Sequence, residues 1–431
     1  MKTARKGNSR RNLIIIYVIA IVLSAASVPL NEVPNFQIDS ISYVRAWKHF
    51  CTYGIDSART PLYPFYLGMM KALFGKELSF LAAVVGQYLI CFVSLFSLYR
   101  LVLSILKSEK AAFFSTLFYI VLITLSGWNS AIMTESLAMS GTIFYLHSLI
   151  CFFRSGSHKP LFISQFILFC LLMLRPSFIY MIPVTLVEFI IYYFRRKQSR
   201  KASLVAIGSL FIVVLTQIGY MTYYYQKEGI FATNNVGLHN QYFMCREYGV
   251  LDPTVIKDKR LRDWVVQSAR VYGKEFYDEE EPILPADWNY VLENYSLPVI
   301  QQAVSASIKK NLPHYIYRML VYSVKPINDL IHGDRIAANT LKTLVYLMLL
   351  IYTVLLVRYI VKRRSVPILS LLVYMTGVSN MLVAICGAMG GWGRLVMPSL
   401  CTYVIMFVQL ALLGMRFCFK NKFSTSSMSV F

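Results

Sequence analysis

The chain has 431 residues, 57% of them hydrophobic and only 15% charged, whereas a soluble domain carries about 25% charge. That balance excludes an ordinary soluble enzyme. The net charge of +22, from 43 Lys+Arg against 21 Asp+Glu, does not point to nucleic acid, because the basic residues cluster between apolar runs as cytoplasmic loops do.

Lys2, Arg5, Lys6, Arg10 and Arg11 precede the first apolar run, 13–30, and are expected to hold the N-terminus in the cytoplasm. The run lacks a small-residue cleavage site and reads as a retained anchor. Runs at 80–106, 111–126, 134–153, 161–174, 177–194 and 203–223 follow. Lys107 and Lys110, Arg154 and Lys159, and Arg195 to Lys201 all fall on the cytoplasmic side of this scheme. A hydrophilic insert then runs from 224 to about 311, long enough for a small helical domain, with a helical pattern over 254–272. The segment 313–331 is apolar but broken by Arg318 and Lys325, and counting it as a span would put Lys362, Arg363 and Arg364 outside. It is expected to be an interfacial amphipathic helix. Runs at 341–360, 366–389 and 395–417 complete about ten spans, with both termini cytoplasmic.

The expected fold is thus an all-α polytopic bundle in the plasma (inner) membrane. It divides into an N-terminal transmembrane module, 1–223, with a first outer loop at 31–78. An extracytoplasmic insert with the interfacial helix, 224–336, and C-terminal transmembrane helices, 337–431, follow. The eight cysteines are scattered without a CxxC. Only Cys51 and Cys245 read as exposed, so at most one disulfide is expected.

Against the cytoplasmic bias, Arg59, Arg175 and Arg394 stand at outer span ends. A charge at membrane depth usually faces a cavity or a partner, and the guanidinium fork suits phosphate oxygens. Each could instead snorkel to lipid headgroups. The carboxylates near the outer surface are Glu32, Asp39, Asp56, Glu77, Glu135 and Asp334. Asp39 opens a helical pattern with Tyr43, Trp47 and Phe50 on one face. It reads either as a helix cap or as a general base whose pKa the aromatic face raises. Glu135 reads either as a helix-dipole partner or as a second carboxylate that orients Asp39, holds an arginine or binds a metal. There is no DxD or HExxH, the histidines are dispersed, and His147 reads as a packed core residue. No cofactor is certain, and a divalent metal is left open.

Asp39, Tyr43 four residues on, and Arg59-Thr-Pro61-Leu-Tyr63-Pro64 resemble the first outer loop of GT-C type glycosyltransferases that use polyprenyl-phosphate sugars. These include protein O-mannosyltransferases and the enzyme adding aminoarabinose to lipid A. Thr134-Glu135-Ser-Leu137 resembles the acidic residue heading the family's fourth span, and Arg175-Pro176 its outer Arg-Pro. Asn311-Leu-Pro313-His-Tyr315 resembles its Asn-Pro-x-x-Tyr helix start, with Leu312 inserted. Gly393-Arg394-Leu-Val-Met-Pro398 resembles its Arg-Tyr-x-x-Pro element, with Leu395 replacing Tyr, and Ser40 stands where many members carry Glu.

The resemblance implies a transferase of envelope glycan biosynthesis, acting on a polyprenyl-phosphate-linked sugar and a hydroxyl-bearing envelope acceptor at the extracytoplasmic face. Asp39 and Glu135 would be catalytic, and Tyr43, Arg59, Tyr63, Arg175 and Arg394 would bind substrate. Two other readings are open: an O-antigen-type polysaccharide polymerase, with its essential arginines in the large insert, and a membrane transporter.

Overall fold

The computed structural model describes residues 2–27, 33–195, 200–272, 283–324, 335–363, 367–387 and 392–418. Glu32 and Asp334, two of the candidate carboxylates, lie outside the described residues.

The described residues are predominantly helical. The first part comprises α1 (Lys2–Ser27), α2 (Ser40–Tyr53), α3 (Leu62–Leu106), α4 (Glu109–Ser126), α5 (Glu135–Ser155), α6 (His158–Leu174), α7 (Met181–Arg195) and α8 (Arg200–Glu228). The insert contributes α9 (Val236–Glu247), α10 (Lys259–Tyr272), α11 (Ile283–Asn294) and α12 (Leu297–Lys310). After α13 (Leu312–Val324) come α14 (Arg335–Arg363), α15 (Ile368–Gly387), the short α16 (Trp392–Val396) and α17 (Leu400–Cys418).

Local chemistry sets several of these limits. The Ser108 hydroxyl accepts from Ala111 N to start α4, and Gly127 closes it in the left-handed region that glycine tolerates. Gly75, at φ 75° and ψ 176°, interrupts α3. The span expected from residue 80 is therefore preceded by a separate helical arm beginning at Leu62. The helix expected over 254–272 is also divided. Asp252 caps a 3-10 turn at Pro253–Val255, Ile256 is extended, and the Asp258 carboxylate accepts from Leu261 N at the start of α10.

Among the described residues nine helical segments are long and apolar enough to cross a membrane, and the tenth expected span is the shorter apolar helix His158–Leu174. α5 is buried along most of its length, with Ala138, Leu146, Leu149 and Phe152 fully enclosed, so it is the axis of the bundle. α1 and α14 turn apolar side chains such as Val18, Val22, Leu350 and Val354 outward, the surface a bilayer would cover.

The insert has its own core of Tyr224, Ile230, Leu238, Tyr242, Trp288, Val291, Ile300 and Val304, which Ile55 of the first loop joins. At its centre the buried Asp287 carboxylate accepts from Arg246, from Tyr242 Oη and from Trp264 Nε1. Cys245 is fully buried in this core rather than exposed, and both Cys51 and Cys245 are free thiols, so the conceivable disulfide is not formed.

Because successive spans alternate in direction, α1, α4, α6, α8 and α15 end where α5 begins, at one end of the bundle. That end gathers the loop segments 33–61 and 127–134, Arg175 and Arg394. Close packing joins α2 to the α3 arm there: a Cβ on Gly68 would lie 2.3 Å from the Trp47 ring. Gly68→Ala is expected to destabilise the protein by about 1–3 kcal/mol in detergent unfolding, and Trp47→Leu in the same chain to recover most of the loss.

Candidate active site

Five charged side chains from five separate segments meet at this end. Asp39 Oδ1 accepts from Arg59 Nη2 at 2.7 Å, and Oδ2 accepts from Arg394 Nη1 at 2.5 Å. Arg394 also donates through Nε to Glu135 Oε1, which accepts from Arg175 Nη1 at 3.1 Å as well. Arg394 thus joins the two carboxylates. Glu135 is fully buried, whereas the Asp39 side chain is 34% exposed and that of Arg394 25%. The site is closed at the Glu135 side and open at the Asp39 side.

Asp39 stands at the first position before α2, yet its side chain makes no capping hydrogen bond; both of its oxygens are committed to guanidinium groups. Of the two readings of this residue, the cap is therefore not the one realised. Burial pushes the Asp39 carboxyl up, but Arg59 and then Arg394 pull it further down, to about 2. The expectation that an aromatic face would raise it is overturned, because two cations beside a carboxylate outweigh its partial desolvation.

Arg59 is set from several sides. The Asp56 carboxylate accepts from Ala58 N at 3.0 Å and Arg59 N at 2.6 Å, and its other oxygen pairs with His49 Nδ1 at 2.7 Å. Ser42 Oγ accepts from Arg59 Nε at 2.8 Å, and the guanidinium carbon lies 4.2 Å from the centre of the Tyr43 ring. Thr60 Oγ1 donates to Leu174 O at 3.0 Å, which ties this loop to the residue before Arg175.

Tyr63 lies one layer behind: its ring meets Tyr43 edge-on at 5.1 Å, and its hydroxyl donates to Gln87 Oε1 at 2.8 Å. The Gln87 amide donates to Asn129 O and Ala131 O, fixing the loop that leads into Glu135. A backbone bridge between Asn35 and Ala131 closes the same loop onto the segment before Asp39. On the far side, Asn380 Nδ2 donates to Leu395 O at 3.1 Å and sets the turn that carries Arg394.

All seven residues singled out as catalytic or substrate-binding are therefore in one connected assembly. Sequence reasoning missed the supporting Ser42, Gln87 and Asn380. Gln87 and Asn380 did carry a signal, each being a lone amide in an apolar run.

Three cations against two carboxylates leave the cluster net positive, which suits an anion. Among the described residues no group of three or more His, Cys, Asp or Glu could hold a metal. A hard divalent cation needs about six oxygen donors, and at Asp39 and Glu135 it would have to displace Arg394 from both acids. Among the described residues the donor set does not fit a metal.

No protein-family model matches the sequence, and no curated protein matches it. Among solved structures it is similar to the oligosaccharyltransferase AglB of Archaeoglobus fulgidus in complex with an inhibitory peptide and a dolichol-phosphate, with a TM-score of 0.51 and 12% identity over 97% of this chain and 52% of that one. The same archaeal enzyme tethered to an acceptor peptide containing the NVT sequon matches with a TM-score of 0.52 and 11% identity, over 96% and 52%. ArnT of Cupriavidus metallidurans bound to undecaprenyl phosphate matches with a TM-score of 0.40 and 11% identity, over 93% and 76%. The chain spans about half the length of the oligosaccharyltransferase and shares its fold, a GT-C-like polytopic helical bundle.

Removing Glu135 strips two arginines of a buried partner. Glu135→Gln is expected to lower stability by about 3–5 kcal/mol, read by thermal unfolding in detergent, whereas Asp39→Asn, at the open side, costs less. Asp39 is held below its free value of 3.8, so its contribution is present above about pH 4 and is lost as pH falls toward 2. That acid-dependent loss is expected to be absent from Asp39→Asn.

Proposed function

We propose that the protein is an inverting glycosyltransferase moving a sugar from a polyprenyl-phosphate donor to a hydroxyl of an envelope lipid, glycan or protein at the extracytoplasmic face. The observation that carries this reading is Asp39 held between Arg59 and Arg394, a carboxylate clasped by the two cations an incoming phosphate would seek.

The donor phosphate enters from the open side and takes hydrogen bonds from Arg59 and Arg394 in place of the Asp39 oxygens. Negative charge grows on that phosphate as the bond to the anomeric carbon breaks, and the guanidinium groups stabilise it where it develops. Asp39, relieved of its cations, rises in pKa and accepts the proton of the acceptor hydroxyl. The hydroxyl oxygen attacks the anomeric carbon on the face opposite the phosphate, the electron pair of the old bond leaves on the phosphate oxygen, and the configuration inverts, in parallel with an inverting glycosidase. Glu135 keeps Arg175 and Arg394 in place and takes no proton.

Charge supports the extracytoplasmic side: Lys107, Lys110, Arg154, Lys159, Arg195, Arg200, Lys362 and Arg363 belong to span ends remote from the site. The polymerase reading looks to Arg246 or Arg260 of the insert. Arg246 is sealed in the insert core with Asp287 and Tyr242, which speaks against it as a substrate contact. Arg260 is exposed, and alanine substitution of Asp39 against Arg260 separates the two readings. A transporter would place its polar residues near the midplane, whereas this cluster sits at one end.

Mass spectrometry of envelope glycans and lipids with and without the protein is expected to show one sugar missing from one acceptor. Asp39→Asn is expected to lower transfer by about 10²–10⁴-fold, and activity within a few-fold of the parent would end the general-base role. In the pH profile, the acid limb assigned to Asp39 is expected at higher pH in kcat than in kcat/KM, since the first reports the enzyme whose arginines are on phosphate.

A further inference from the structure

The insert approaches the site through α9. Asn235 N donates to Ser57 O at 2.8 Å, Asn234 Nδ2 donates to Ala58 O at 3.1 Å, and Tyr224 Oη donates to Ser57 O at 2.8 Å. The start of α9 is therefore fastened to the loop that delivers Arg59. His239 comes four residues after Asn235 and so projects from the same face, one turn along.

The His239 ring is stacked on Trp288, with centroids 4.7 Å apart and planes at 28°, and it meets Phe243 edge-on at 4.2 Å. Its Nε2 is buried and has no hydrogen-bond partner among the described residues. Burial holds the imidazole down to about 4, with lesser opposed contributions from Asp39 (up) and Arg59 (down), so the ring is neutral at pH 7. Phenylalanine would pack between Trp288 and Phe243 equally well without burying a nitrogen. A buried polar atom left without a partner calls for a specific explanation, and at the edge of a binding site a ligand supplies one.

We propose that His239 is a substrate-contacting residue: its Nε2 hydrogen-bonds a hydroxyl of the sugar held beside Asp39, on the donor or on the acceptor, while Trp288 and Phe243 fix the plane of the ring. This rests on the reading of the site as a sugar transferase. It gives the insert a defined part in that reaction, the recognition of a polyol next to the phosphate pocket. A neutral imidazole nitrogen serves there as acceptor or donor according to tautomer, which suits a hydroxyl and does not compete with the arginines for phosphate.

Two substitutions separate the hydrogen bond from packing. His239→Phe keeps the aromatic stack and removes Nε2; His239→Gln keeps a polar group at similar reach and gives up the stack. Transfer is measured in full-length protein in nanodiscs with the donor and acceptor that the envelope comparison identifies. His239→Phe is expected to lose about 10–100-fold with an unchanged or higher melting temperature, and His239→Gln to retain several-fold more activity than His239→Phe.

Binding of undecaprenyl phosphate, a probe with phosphate but no sugar, is expected to stay within two-fold in His239→Phe. A KM rise confined to the donor assigns the hydroxyl to the transferred sugar, and one confined to the acceptor assigns it there. Parent-like activity in His239→Phe, or a weakened hold on undecaprenyl phosphate, overturns the assignment. If Asp39→Asn is inactive and a sugar is missing while His239→Phe is fully active, the His239 assignment alone falls. If no envelope sugar depends on the protein, both readings fall together.

Discussion

The structure at the loop end of the bundle depends on Glu135. A carboxylate with no exposure at the head of the most buried helix is tolerable only because Arg175 and Arg394 meet it there. Once Arg394 is fixed by Glu135, its other face is presented to Asp39, and Asp39 in turn receives Arg59. The two acids differ in kind through depth alone. One is enclosed and paired with two arginines; the other, also paired with two arginines, borders an opening.

Much of this was legible in the sequence, for a physical reason. Arginine and carboxylate at span ends in a chain with so few charges are costly to place, so Asp39, Glu135, Arg59, Arg175 and Arg394 stood out as exceptions before any fold was known. Pairing was not legible. Asp39 and Arg394 are separated by 355 positions, and a helix pattern reveals only near neighbours such as Tyr43 and Trp47. The aromatic face was visible and suggested a raised pKa, while the pairing with Arg59 and Arg394 that reverses the shift was out of view.

The element limits show the same division. Long apolar runs gave the spans, but α6 falls short of the usual length, and the helix over 254–272 is cut where Asp252 and Asp258 each begin a new turn. A charged side chain competing for backbone N–H groups ends one helical stretch and starts another, an outcome periodicity cannot foresee. His239 gave no signal at all. It sits in a polar insert where a histidine is unremarked, and only the fold shows that its helix, α9, begins on the Arg59 loop.

The insert and the first loop are not independent modules. Ile55 belongs to the insert core, and Ser57 and Ala58 accept hydrogen bonds from Tyr224, Asn234 and Asn235. Because of these contacts, exchanging the insert of this scaffold for another requires residues 55–59 to move with it. A chimera exchanging the insert alone would strip Ser57 and Ala58 of the hydrogen bonds from Asn234 and Asn235, so a change made in the insert would be felt at the neighbouring Arg59.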